Sequence, residues 1–189
     1  MKKKFKYYLL YKPFQVLCQF SPEPGKVTLA DILSIEKDVY PVGRLDYDSE
    51  GLLLLTNDNE LKTILLSPEY KHTKSYLVQV EGEISDEAMA KLMNGVDINI
   101  KGKIYRTLKC TVAKPVTLTD LPERIPPIRY RKNIPVSWIE ITIHEGKNRQ
   151  IRKMTAAVGH PTLRLIRMKF DKFCLGGLIP GELKEISIT

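Results

Sequence analysis

The arrangement of apolar residues along the chain predicts several strands. Residues 7–11 are rich in tyrosine and leucine, and Pro13 stops the run, which favours a β-strand. Residues 51–55 are a glycine followed by four leucines. Such an uninterrupted run is typical of a strand that is covered on both faces. Residues 75–80 alternate as a strand with two different faces does, so they predict a third strand.

Four segments carry the signals of helices. Residues 28–33 predict a short capped helix, and residues 58–66 begin at a good capping residue and stop before Pro68. Residues 85–95 begin at a serine and close at a glycine. Residues 148–158 place four side chains at the spacing of a buried stripe. These four are Ile151, Met154, Thr155 and Val158.

The remaining pattern completes the prediction of the fold. Further strands are expected at residues 39–46, where the strand bends into a loop, and at 104–112, 137–143 and 163–170. Together the elements predict an α+β fold with a mixed, largely antiparallel central sheet and flanking helices. We expect residues 1–189 to form a single catalytic domain, or two lobes that share a sheet.

A proline-rich segment at residues 114–135 is too long and too interrupted for a simple turn. Its basic residues are Arg124, Arg129, Arg131 and Lys132. An RNA-facing loop and a plain surface excursion both fit this composition, and the sequence leaves the two open.

Composition narrows the class of protein. The chain of 189 residues is 43% hydrophobic, as folded proteins are, and no apolar run is long enough to span a bilayer. The first six residues are basic but lack the apolar stretch of a signal peptide. Cys18, Cys110 and Cys174 are too widely spaced for a disulfide framework or a zinc site. A reducing, cytoplasmic location is the simplest interpretation.

The charge of the chain is unevenly distributed. The formal net charge is +8 and the pI is about 9.3, which favours a polyanionic partner. Residues 145–172 hold eight lysines and arginines against two acids, whereas residues 41–70 hold two bases against six acids. A solvated basic surface would explain the net charge alone. The separation favours a basic RNA-binding surface around a distinct acidic centre.

The acidic centre is Asp46, Asp48 and Glu50, placed directly before the leucine run, with Arg44 two residues before Asp46. Carboxylates beside apolar surface are poorly solvated, which is typical of functional sites. On a strand Arg44 and Asp46 would share one face, as a surface ion pair also would. A calcium-binding loop does not fit, because its twelfth position is Asn57 rather than glutamate. A metal-dependent nuclease remains a minor alternative.

Two further features suggest binding of nucleic acid. In the predicted helix at 148–158, Arg149, Arg152 and Lys153 lie opposite the apolar stripe. Bases in a first turn oppose the helix dipole, so phosphate binding or pairing with a carboxylate explains them better than local stability does. Tyr76 lies on a predicted strand, where a tyrosine is most often a core residue. Its ring can also stack on an extruded base.

These segments together resemble the pseudouridine synthases, in the branch that modifies ribosomal RNA. This branch includes type A, which acts on the small subunit, together with types B, E and F, which act on the large subunit. The resemblance covers nearly the whole chain, and the order of its motifs is highly specific. The motifs are YKP at 11–13, GRLD at 43–46, GLL at 51–53, KSY at 74–76, EGKNRQIRKM at 145–154 and VGHPTLRLIR at 158–167. Within the branch, residues 134–138 and 148–150 look most like type E.

The resemblance implies the pseudouridine synthase fold and a set of site residues. Asp46 matches the catalytic aspartate that starts breakage of the uridine glycosidic bond, and Arg152 matches its basic partner. Tyr76 matches the tyrosine that packs against the target base, and Arg44 the arginine that fills the gap left by the flipped nucleotide. Neither a metal nor a cofactor is implied. The residues expected to bind RNA are Arg44, Lys147, Arg149, Lys153, Arg164 and Arg167.

The chain departs from the family pattern at two positions, since Tyr11 stands where asparagine is common and Asn59 where glycine is common. Neither position touches the inferred chemistry. The motifs begin almost at residue 7, so no N-terminal S4-type RNA-binding domain is expected. The basic surface would then have to supply the affinity for RNA alone.

Two functions are therefore carried forward. The first is an isomerase that converts one uridine of large-subunit (23S) ribosomal RNA to pseudouridine. The second is a non-catalytic RNA-binding or ribosome-assembly factor on the same scaffold. Both predict ribosomal RNA as the partner, no membrane and no metal, and nothing demands more than a monomer.

Overall fold

The structure is a computed structural model that describes residues 4–115, 118, 121–129 and 131–188. The chain divides into two compact units. The first comprises the residues up to His72 together with those from Arg167 onward, and the second is Thr73–Ile166. The division falls within one strand, Thr162–Phe170. Within the described ranges no helix exceeds eight residues, and none is long and apolar enough to cross a membrane.

The first unit is built on a long buried strand. Its elements are β1 (Tyr7–Lys12), β2 (Val16–Leu17), β3 (Val27–Thr28), α1 (Leu29–Ile32), β4 (Tyr40–Pro41), β5 (Glu50–Thr56), α2 (Asn59–Leu66) and a 3-10 turn (Pro68–Tyr70). The second unit adds β6 (Lys74–Glu81), α3 (Asp86–Met93), β7 (Asp97–Ile100), β8 (Lys103–Arg106), β9 (Thr111–Ala113), β10 (Val136–Ile143) and α4 (Gln150–Ala157). The last strands are β11 (Thr162–Phe170), β12 (Phe173–Cys174) and β13 (Leu183–Glu185).

The core of the first unit is the antiparallel pair of β1 and β5, in which Leu9 lies opposite Leu54 and Leu10 opposite Leu53. Every residue of β5 is buried, so the prediction of a strand covered on both faces is confirmed. β13 pairs with the other edge of β1, and β4 pairs with β5. β12 pairs with the end of β11, and β2 and β3 form a short parallel pair.

The second unit contains the antiparallel order β6, β10, β9 and a separate hairpin of β7 and β8. Val78 of β6 lies opposite Ile139 of β10, and both are fully buried. Within each unit the pairings described above are antiparallel except that of β2 with β3, which agrees with the predicted mixed, largely antiparallel α+β class. The capped helices are also confirmed, since Asp58 accepts a hydrogen bond from Leu61 N and Ser85 accepts one from Ala88 N.

The strand predicted at residues 39–46 is shorter than expected, although it bends into a loop as predicted, and the single strand predicted at 104–112 is wrong. Of residues 39–46, only Tyr40 and Pro41 pair in a strand, and the chain then runs as a loop to β5. The segment 104–112 is divided into β8 and β9, because the Thr107 hydroxyl and amide bond to the backbone of Val96 and turn the chain. Of the proline-rich segment, residues 116, 117, 119, 120 and 130 lie outside the described residues. Its described remainder contains neither helix nor strand.

Candidate active site

Arg44 and Asp46 lie on the loop between β4 and β5 in the first unit. Leu45 is buried, whereas Asp46 is half-buried and Arg44 is exposed. Backbone donors hold this loop: Leu45 N bonds to Cys18 Sγ at 3.3 Å and Ser49 N to Asp46 O at 3.0 Å. Since the loop is fixed by its main chain and by buried Leu45, the Asp46 carboxyl group is presented from a defined position without a strand.

Lys12 is an additional charged group that sequence reasoning treated only as part of a motif. Its side chain is fully buried, and its Nζ donates to Pro13 O at 2.7 Å and Val16 O at 2.8 Å. Burial lowers the pKa of Lys12 to about 8. The neighbouring groups that act on this pKa in the opposite direction are Cys18, Glu50, Asp48 and Asp46. The only signal in the sequence was a lysine within an apolar strand directly before a proline.

The start of β5 requires glycine. Gly51 has φ +103°, and a Cβ atom there would lie 2.4 Å from the carbonyl oxygen of Arg167. Arg167 is 3% exposed, and its Nε donates to Leu52 O at 2.8 Å. Its guanidinium group also lies 5.2 Å from the ring centroid of Phe170. Arg167 therefore has a structural role beside the Asp46 loop, and its predicted contact with RNA stays a prediction.

Tyr76, Arg152 and Arg164 belong to the second unit. Tyr76 is 9% exposed and lies opposite Ile141 in the pairing of β6 with β10. Arg152 is half-buried on α4, and its Nη1 donates to Thr162 O at 3.5 Å. Arg164 lies on β11 and is 6% exposed. Tyr76 and Arg164 are thus more buried than a typical RNA-contacting surface residue.

The predicted basic helix begins two residues later than expected, at Gln150, and ends at Ala157. Arg149 precedes it in a left-handed conformation with φ +51°. Ile151, Met154 and Thr155 are buried as predicted, whereas Val158 follows the helix and is half-buried. The structure brings four predicted basic residues together along this short segment: Lys147 and Arg149, which are exposed, and Arg152 and Lys153, which are half-buried.

A side-chain network fixes the approach to α4. Gln150 Oε1 accepts from Lys147 N at 2.9 Å, and Gln150 Nε2 donates to Glu145 Oε1 at 2.6 Å. Glu145 also accepts from the Tyr105 hydroxyl at 2.5 Å and from Leu108 N at 2.9 Å. The hydrogen bond to Glu145 and burial raise the pKa of Tyr105 to about 12. We refer to Tyr105, Glu145 and Gln150 as the carboxylate network; apart from the motif itself, no sequence signal indicates it.

Metal binding can be considered only for the parts of the chain that the structure describes. There, no group of three or more histidine, cysteine, aspartate or glutamate side chains is placed to hold a metal ion. Asp46, Asp48 and Glu50 do not form such a group.

Comparison with known proteins adds independent information. The sequence profile of the RNA pseudouridylate synthase family matches residues 6–157. The chain is 46% identical over 180 residues to ribosomal large subunit pseudouridine synthase E of Vibrio parahaemolyticus, covering 94% of this chain and 72% of the relative. It is 45% identical over 183 residues to the protein of the same name from Xanthomonas axonopodis pv. citri, covering 96% and 94%.

Solved structures give the same fold. A crystal structure of a pseudouridylate synthase matches with a TM-score of 0.77 at 24% identity, covering 97% of this chain and 71% of that one. Human RNA pseudouridylate synthase domain containing 1 matches with a TM-score of 0.58 at 15% identity, over 97% and 80% of the two chains. At these identities the likeness establishes the fold alone, and it confirms the fold expected from the motifs.

Proposed function

The chain belongs to the RNA pseudouridylate synthase family, and from this premise we propose that it isomerises one uridine of large-subunit ribosomal RNA to pseudouridine. The observation that carries the proposal is the identity of 45–46% to large-subunit synthases of the E type over more than nine-tenths of the chain. The net charge of +8 supports a polyanionic substrate. We expect the enzyme to act in the cytoplasm, where ribosomal RNA is available, and to work as a monomer.

Asp46 is the residue proposed to start the reaction. Its carboxylate would attack the ribose or promote elimination, so that the bond between C1′ and N1 of the uridine breaks. The base then rotates, a C1′–C5 bond forms, and the hydrogen on C5 is lost to solvent while N1 gains one. The half-buried position of Asp46 on a loop fixed by backbone hydrogen bonds supports this role, because a catalytic carboxylate must be held in place.

Three further residues have proposed roles around the target nucleotide. Arg152 would pair with the Asp46 carboxylate and favour its ionised form. Tyr76 would pack against the base, which suits an aromatic ring held rigidly between buried neighbours of a sheet. Arg44 would fill the gap that the flipped nucleotide leaves, and its exposed side chain makes this contact possible.

The remaining basic residues would bind the RNA backbone. Lys147 and Arg149 are exposed and Lys153 is half-buried, so phosphates can reach them from solvent. Arg164 and Arg167 are more than nine-tenths buried. Any contact that these two make with RNA must therefore be to a nucleotide that has left the helical stack.

Tritium release tests the proposal directly. RNA labelled with tritium at uridine C5 should lose its label to water in the presence of the wild-type protein, because C5 becomes the glycosidic carbon. Asp46→Asn should lower this rate by at least about 10³-fold, in keeping with loss of a catalytic carboxylate, while the affinity for the RNA stays within a few-fold. Asp48→Asn is the matched control, since it removes a half-buried carboxylate from the same loop and should retain activity.

The outcomes separate the two functions carried forward. Full turnover by Asp46→Asn would refute the catalytic role of Asp46. A wild-type protein that binds the RNA tightly but releases no tritium would favour the non-catalytic RNA-binding factor instead. Arg152→Met should impair the rate more than the affinity, and a loss of affinity alone would contradict its assignment as the partner of Asp46. Mapping pseudouridine in ribosomal RNA from cells that lack the protein would identify the uridine.

A further inference from the structure

The proline-rich loop forms one wall of a cavity that none of the proposed catalytic residues lines. The cavity has a volume of about 500 Å³ and lies within the second unit. Among the described residues it is lined by Gln79 and Glu81 of β6, Leu163 of β11, and residues 128, 129 and 131–136. We call this cavity the loop groove. Its volume falls in the range of pockets that hold a small molecule or a single nucleotide.

The loop side of the groove is fixed to the sheet. Arg131 Nη1 bonds to Glu81 Oε2 at 2.8 Å, and Gly82 N donates to Pro135 O at 2.8 Å. Ile134 N donates to Arg131 O at 3.2 Å, which closes a turn in the same wall. Because side-chain and main-chain bonds both tie residues 131–135 to the end of β6, the groove has a preformed wall.

The charge of the groove favours an anionic ligand. Arg129 and Lys132 are both exposed, and neither has a salt-bridge partner among the residues that the structure describes. Arg131 forms a salt bridge with Glu81, the single carboxylate among the described residues of the lining, so Arg129 and Lys132 remain for a ligand. Two cations in the lining of one cavity can both contact a phosphodiester.

The lining of the groove also includes apolar side chains and two amides. Ile134 is 38% exposed and Val136 49% exposed, which is unusually high for β-branched residues. Leu163 is half-buried beside them, while Gln79 and Asn133 offer amide donors and acceptors. An apolar surface with nearby amides and cations matches the three parts of a nucleotide: its base face, its base edge and its phosphate.

We propose that the loop groove binds an unpaired nucleotide of the RNA substrate other than the target uridine. Its phosphate lies on Arg129 and Lys132, and its base lies against Val136 and Leu163. This inference rests on the proposed function for the identity of the RNA. It gives the proline-rich loop a role in the choice of substrate, because only RNA with an unpaired nucleotide at the matching distance fills both sites.

The first experiment removes the two cations that Glu81 leaves for a ligand. We expect Arg129→Ala/Lys132→Ala to weaken binding of a large-subunit ribosomal RNA transcript about 5- to 10-fold in about 0.15 M KCl. The slope of log Kd against log salt should fall by about 1.4, or about 0.7 for each lost contact to a single strand. The KM in the tritium assay should rise by the same factor as Kd.

The matched control is Lys101→Ala/Lys103→Ala, which removes the same charge from exposed positions around the turn between β7 and β8. This control should change the slope of log Kd against log salt by less than half as much as the groove double variant does. If the two double variants changed the affinity and the salt slope equally, the proposed nucleotide site in the groove would be refuted and only a general electrostatic attraction would remain. An unchanged slope of log Kd against log salt in the groove variant would also refute the proposed site.

A second experiment tests whether the groove recognises an unpaired nucleotide. Binding of a 12-residue oligouridylate and of a 12-base-pair RNA duplex is compared for wild type, the groove double variant and Val136→Ser. Both variants should bind the oligouridylate more weakly than wild type does. Val136→Ser should weaken this binding about threefold without altering its salt dependence, because the substitution removes apolar contact only. If the variants bound the duplex more weakly by the same factor, recognition of an unpaired base would be refuted.

These results can be separated from a failure of the proposed function. A wild-type protein that releases no tritium would contradict the proposed isomerase activity. The binding comparison would still show whether the groove binds a nucleotide. A groove variant that binds as tightly as wild type would refute the groove and leave the isomerase intact. Thermal unfolding of each variant establishes that the compared proteins are folded.

Discussion

The Asp46 loop and the segment that leads into α4 both carry charged residues with proposed functions outside regular structure, but different bonds hold the two segments. Backbone amides of Leu45 and Ser49 supply hydrogen bonds that fix the first. In the second segment, side chains of Glu145 and Gln150 add hydrogen bonds to the backbone bond from Gln150 N to Lys147 O. Replacing a charged side chain leaves the backbone bonds of the first segment in place, whereas replacing Glu145 or Gln150 removes bonds that hold the second. The two regions should therefore respond differently to substitution.

The largest effect on stability is expected at Gly51, where the main chain of β11 packs closely against the start of β5. Gly51→Ala would place a Cβ atom 2.4 Å from Arg167 O in a backbone conformation that L-residues rarely adopt. We expect the free energy of unfolding to fall by about 3–5 kcal/mol, as measured by urea denaturation, from strain and overpacking together.

Gly102→Ala is the control for conformational strain alone. Gly102 has φ +84°, but a Cβ atom there would meet nothing within 4 Å. The control should lose about 1–2 kcal/mol. Equal losses for the two variants would mean that the contact between Gly51 and Arg167 does not restrict the start of β5.

Lys12 should give the second largest effect, and one that depends on pH. Lys12→Met leaves the part-buried carbonyl group of Pro13 and the buried one of Val16 without this donor, so we expect a loss of about 2–3 kcal/mol at pH 7. Burial lowers the pKa of Lys12 from 10.5 to about 8 in the folded protein. Between these pH values the unfolded chain binds a proton that the folded chain has released. The stability of wild type relative to Lys12→Met should therefore rise from pH 8 to pH 10.5.

Urea denaturation at several pH values from about 7 to about 10 measures this difference. Lys37→Met, at an exposed position in the same unit, serves as the control and should follow wild type at every pH. If the free energies of unfolding of wild type and Lys12→Met changed in parallel with pH, the pKa of the buried ammonium group would be its ordinary one.

Much of the fold follows from local rules, and the errors have physical causes. The leucines of β5 and the caps of α2 and α3 are signals that a sequence displays directly. Residues 104–112 look like one strand because they are rich in β-formers. The break at Thr107 depends on a hydrogen bond to Val96, which lies across the hairpin and has no local signal. Pairing across distant segments decides such boundaries.

For the candidate site, too, the sequence identifies the residues but does not predict their burial or their contacts. The motifs name Asp46 and Arg152, because the order of residue types is specific. They do not show that Lys12 is fully buried, since its acceptors are carbonyl groups presented by the turn after β1. They also do not show that Arg167 is 3% exposed and bonded to Leu52. Burial of a long basic side chain is set by the packing around it, so a predicted RNA contact can occupy a structural position.

The smallest effect on stability tests the carboxylate network, the side-chain half of the comparison. Glu145→Gln keeps an oxygen for Gln150 Nε2 and removes the negative charge, so the loss should be about 1 kcal/mol or less. The pKa of Tyr105 should instead fall clearly from about 12, because the hydrogen bond to Glu145 is the main cause of its elevation. Ultraviolet titration of each protein against its own Tyr105→Phe derivative isolates this tyrosine. An unchanged Tyr105 pKa would show that Glu145 does not hold the approach to α4 through this bond, and the contrast with the main-chain-held Asp46 loop would then fail.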